Sequence, residues 1–125
     1  MRATVKVVRN SVRLIFVALL ILGILLWTNV APKLLDAHVT LGILLVLGLW
    51  ITCTIAAAAR VSLGLVAAGA IWGIIVVALG MTQISLLRDS MHWIVQVTHL
   101  LVGIAALALN ERLAGQTLEQ LPAAS

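Results

Sequence analysis

Only one cysteine, Cys53, is present, so neither an intrachain disulfide nor a cysteine-pair metal site can form. Charge is scarce as well, with 8 Lys and Arg and 4 Asp and Glu making up 10% of 125 residues. So few charges cannot cover a soluble surface. With 63% hydrophobic residues and a mean hydropathy of +1.22, the chain lies outside the composition of soluble globular domains. No nucleophile with a partner base, no acid–base pair and no nucleotide-binding motif stands out, which argues against an enzyme. The net charge of +4 would suit nucleic acid, but the basic residues gather at the ends of apolar runs, where membrane topology accounts for them and no nucleic-acid partner is implied.

What the sequence does have is four long apolar runs, residues 14–30, 37–59, 61–87 and 91–109. Each is close to or above the roughly 20 residues that a helix needs to cross about 30 Å of hydrocarbon, and open backbone in lipid is too costly for other spanning shapes. The expected fold is all-α: a single integral-membrane four-helix bundle, up-down-up-down, with helices near 12–30, 33–59, 62–87 and 90–110 and a short cytoplasmic tail over 111–125 that begins as a brief continuation of helix 4 and ends frayed. Pro32 suits the first turn of helix 2, Arg60 the tight turn between helices 2 and 3, and Asp89 or Ser90 an N-cap for helix 4. Arg2, Lys6, Arg9, Arg13, Arg60 and Arg112 fall on one side of the bundle, and only Lys33 and Arg88 on the other. The positive-inside rule then places both termini in the cytoplasm, in the cell (inner) membrane with lipid as the surrounding partner. "WTNVAPK" after the first run has no small-x-small cleavage site, so that run is read as an uncleaved helix rather than a signal peptide.

Polar residues inside the spans carry the functional signal. At 100° per residue, His92, Gln96, His99, Gly103, Ala106 and Asn110 fall within an arc of about 80° on helix 4, a stripe that must face the bundle. Helix 2 opens with His38 followed by Gly42, and helix 4 repeats the spacing with His99 and Gly103. A glycine one turn from an imidazole leaves room for a flat macrocycle, so two such helices can clamp one porphyrin. His38 lies about 6 Å and His99 about 12 Å below the outer ends of their helices, at 1.5 Å per residue. A single membrane histidine is as well explained by a hydrogen bond across a helix interface. Three on one side, two with matched glycines, favour a haem held by His38 and His99, with His92 and Gln96 beside it.

The remaining features have structural readings of their own. Cys53 is expected to pack within helix 2. Gly69, Gly73, Gly80 and Gln83 share a face of helix 3, which suits close helix packing, with Gly80 alternatively making room for the edge of a ring. Gly23 has no histidine on its own helix face, so a bulky side chain there is expected to reduce haem content less than one at Gly42 or Gly103. Trp27 and Trp93 suit interfacial anchoring, and Trp50 and Trp72, which lie deeper, suit core filling or alternatively packing on a cofactor. Lys33 and Arg88 either pair with Asp36 and Asp89 or, with a haem in the outer leaflet, neutralise its propionates.

"DAHVTLG" and "VTHLLVG" resemble the paired histidine motifs of helices 2 and 4 in one four-helix half of haem A synthase, and the whole is similar to small four-helix membrane b-type cytochromes. The resemblance implies a b-type haem, with iron between His38 and His99. Haem A synthase has two such halves and an outer carboxylate near a histidine, for which Asp36 is an imperfect match. A single-haem electron carrier, a haem-carrying subunit or a half that dimerises is the corresponding expectation. Two axial imidazoles leave iron no open site, which favours one-electron transfer with a quinone or another redox protein. Covalent c-type attachment is excluded, since no Cys-x-x-Cys-His occurs. The alternative is a non-catalytic structural or assembly subunit of a larger membrane complex, with or without a quinone, chlorophyll or copper site, Gln83, His92 and Gln96 lining a polar pocket.

Overall fold

The apolar runs fold as α1 (Arg2–Trp27), α2 (Leu35–Ala58), α3 (Leu63–Thr82) and α4 (His92–Gln120) in a computed structural model that describes residues 1–123. Pro32–Leu34 and Gln83–Ser85 form single 3-10 turns, and no strand occurs among the described residues. All four helices are long and apolar enough to cross a membrane. Large apolar side chains such as Leu14, Ile24, Ile71 and Ile74 are more than half exposed, an arrangement water would penalise and hydrocarbon would not.

The connections are set by local backbone chemistry. Asn29 and Arg60 both take left-handed φ values, 56° and 61°. Val30 and Val61 donate to Leu25 and Ala56, while Asn29 and Arg60 donate to Leu26 and Ala57. These paired bonds are Schellman motifs, which satisfy the last carbonyls of α1 and α2 and reverse the chain. Ser62 caps α3, its hydroxyl accepting from the Leu65 N–H. For α4 the expected cap is corrected: Met91 precedes the helix, and neither Asp89 nor Ser90 supplies a side-chain cap. Leu87 adopts φ 43° and the backbone N–H of His92 donates to Asp89, so this loop turns too early for either side chain to reach the helix end.

Neighbouring helices run antiparallel. Gly48 faces Val12 and Gly23 faces His38 between α1 and α2; Gly69 meets Cys53 and Gly73 meets Trp50 and Val46 between α2 and α3; Gly80 faces His99 and Gly69 meets Leu113 between α3 and α4. α2 also touches α4, whereas α1 and α3 do not touch, among the described residues. The cross-section is therefore a rhombus with α2 and α4 on its short diagonal. Val46, Leu49, Cys53, Ala106 and Leu113 fill the core along that diagonal, which bears out the packing reading of Cys53.

The segment expected as a tail is helical as far as Gln120. Its inward face buries Asn110, Leu113, Ala114 and Thr117, and Glu111 bridges Arg9 and Arg13 of α1 at 2.6 and 2.7 Å. The Arg2 guanidinium donates to the carbonyls of Leu118 and Leu121, capping the end of α4. With 26 and 29 residues, α1 and α4 are about 39 and 43 Å long, so both extend past a 30 Å hydrocarbon layer.

Candidate functional site

The polar stripe of α4 and the histidine of α2 converge on one cavity. His38 and His99 face each other across the short diagonal with ring centroids 6.1 Å apart and planes inclined by 50°. The Nδ1 atoms of both are sealed from solvent and have no hydrogen-bond partner. An unsatisfied buried polar atom costs about 1–3 kcal/mol, so two in one place mark a site as well as a packing problem.

The rings border a cavity of about 470 Å³, within the range of small-molecule and cofactor sites. Its wall includes His38, Gly42, His92, Gln96, His99 and Gly103, six of the eight residues singled out in the sequence. A β-carbon placed on Gly42 would meet no atom within 4 Å, and one on Gly103 only the Phe16 ring at 3.9 Å, so both glycines leave open space one turn from a histidine.

Gly23 is a correction. It lines the cavity, and its β-carbon would stand 3.6 Å from Cε1 of His38; Gly80 bears the same relation to Cε1 of His99, at 3.5 Å. Each imidazole thus lies edge-on to a glycine of the neighbouring helix. The smaller effect expected at Gly23 rests on helix 1 alone, although Gly23 and His38 are equally far from the centre of the 30–31 turn. Antiparallel pairing across that turn was the available signal, and Gly80 and His99 flank the 89–90 connection in the same way.

The other candidates divide. His92 is anchored at the cavity end, its Nδ1 donating to the Leu86 carbonyl at 3.0 Å, and Gln83 and Trp27 line the same end. Trp27 therefore borders the site, while Trp93 is exposed. Trp50 and Trp72 lie elsewhere, donating across helix interfaces to the carbonyls of Ala70 and Val102. Lys33 and Arg88 are exposed and do not line the cavity, and neither forms an ion pair with Asp36 or Asp89 among the described residues. Asn110 ends the stripe fully buried and unpartnered, outside the cavity wall.

No group of three or more His, Cys, Asp or Glu able to hold a metal ion occurs among the described residues. A metal bound by protein side chains alone, such as the copper alternative, has no such cluster to draw on. Comparison with family models, with curated proteins and with solved structures gives no match to this chain.

Proposed function

We propose that this chain is a membrane-embedded haem-binding protein, a bis-histidine b-type cytochrome acting in one-electron transfer or as a haem-carrying subunit. The observation that carries the reading is the His38–His99 pair, facing across an apolar cavity at 6.1 Å between ring centroids. His38 and His99, with both rings on one apolar cavity, are the residues that would hold the iron of a haem. The residues therefore fit the group. When bound, it supplies a one-electron iron couple without an open coordination site.

The protein's own contribution is shape and environment. Gly23 and Gly80 set the imidazole edges, Gly42 and Gly103 leave the space beside them, and the apolar wall excludes water, which shifts the potential of an enclosed iron. The motifs around His38 and His99 that resemble a half of haem A synthase agree with this reading, as does the location: an inner-membrane protein, both termini cytoplasmic, with the polar end of the cavity toward the outer surface. A quinone or a second redox protein is the exchange partner. A pyridine haemochrome assay on the detergent-purified protein tests the reading. One protohaem per chain is expected, and a colourless preparation that takes up no haem leaves the histidines as helix-bridging residues of a structural subunit.

A further inference from the structure

The cavity is amphiphilic along its length. At the end where the outer connections meet, its wall carries Trp27, Gln83, His92 and Gln96; at the opposite end it is closed by Phe16, Leu45, Val76 and Gly103. Apart from the facing histidines, those four are the wall's only side chains with a polar N–H to offer, and Lys33 and Arg88 are absent from it. His92 is held by its bond to the Leu86 carbonyl, which leaves Nε2 as its free ring nitrogen. On α4, Gln96 lies one turn and His92 two turns beyond His99 on the same face, about 4.5 and 10 Å along the axis. That span is of the order of the reach from the centre of a porphyrin to the ends of its propionate arms.

Resting on the haem reading, we propose that Gln83, His92 and Gln96 form the carboxylate-receiving end of the site, fixing the macrocycle's orientation through its propionates in place of the outer cations. A propionate leaving water for this rim needs charge-assisted donors. The glutamine amides supply N–H groups directly, and a proton on Nε2 of His92 would let the ring donate to a carboxylate while Nδ1 keeps its bond to Leu86. The apolar floor offers a second carboxylate arm nothing, so only one orientation satisfies both arms. His92 is thereby a positioning residue, distinct from the facing pair.

The test compares the haem-free protein in detergent with two ligands, protohaem and protohaem dimethyl ester, each titrated by its visible spectrum. The wild type is expected to prefer the free acid by about tenfold or more, the scale of one or two lost charge-assisted hydrogen bonds. In the double variant His92→Leu, Gln96→Leu the ratio should fall to within about twofold, with the low-spin spectrum of the bound ester showing that the fold and the facing histidines survive. Lys33→Ala with Arg88→Ala should keep the wild-type ratio. A wild-type ratio near one, a preference that survives the double variant, or one that disappears with Lys33 and Arg88 overturns the carboxylate assignment alone. Failure of the wild type to bind either ligand in low-spin form overturns the haem reading and this inference with it.

Discussion

Gly73 and Gly42 should respond in opposite ways to the same added methyl group. At Gly73 a β-carbon would collide with Nε1 of Trp50 and stand 3.0 Å from Cε2 and 3.1 Å from Cγ1 of Val46. The indole can yield only by giving up its bond to the Ala70 carbonyl, now 3.1 Å long. Overpacking of this kind costs about 1–3 kcal/mol and a lost hydrogen bond about 1 kcal/mol, against a helix-propensity gain of at most about 1 kcal/mol. Gly73→Ala is therefore expected to destabilise the bundle by about 2 kcal/mol. At Gly42 nothing lies within 4 Å, so Gly42→Ala should be neutral or slightly stabilising. Gly42→Leu extends into the cavity and should leave stability near wild type while removing most of the bound haem. Unfolding in mixed detergent–SDS micelles, with haem content measured on the same samples, separates the two effects. Equal destabilisation by both alanine changes would refute the distinction between packing and cavity glycines.

Gly23→Leu and Gly80→Leu should each reduce low-spin haem several-fold, because the added side chain would enter the space of the His38 or His99 ring; the alanine variants, with contacts of 3.6 and 3.5 Å, should retain it in the optical spectrum. Glu111→Ala should speed tryptic cleavage within residues 2–13 several-fold without altering haem content, since it leaves Arg9 and Arg13 of α1 without their shared partner. A reporter fused after Ser125 should report the cytoplasm, and a tag between Lys33 and Asp36 should be reachable from outside intact cells; the reverse labelling would overturn the orientation.

Much of the fold was legible because apolar length is a strong signal: four runs became four helices, and three of the connections' punctuating residues, Pro32, Arg60 and Asp89, do lie between them. That α4 continues past residue 110 was legible but its length was not, because residues 110–120 owe their order to Glu111 bridging Arg9 and Arg13, and to Arg2 capping the far end. These are contacts across more than 90 positions of sequence. Within the site, the 3.6-residue period brought His92, Gln96, His99 and Gly103 to one face, and the repeated His-x-x-x-Gly drew attention to His38 and Gly42. Periodicity treats each helix alone, however, so the glycine that meets His38 from α1 escaped it. Lys33 and Arg88 stand out in the sequence only as the two cations of the 30–37 and 87–91 connections. The connections hold them outside the cavity, whose rim is lined by uncharged amides, an indole and His92.

The central claim is that His38 and His99 together hold one haem, and the optical spectrum of three single variants tests it most directly. His38→Ala and His99→Ala should each abolish the low-spin bis-imidazole spectrum of the purified protein, while His92→Ala, changed at the cavity end and not in the facing pair, should retain it with at most a shifted potential. Loss of the spectrum in His92→Ala with retention in His99→Ala would contradict the assignment of the pair, and retention in all three would contradict ligation by these histidines altogether.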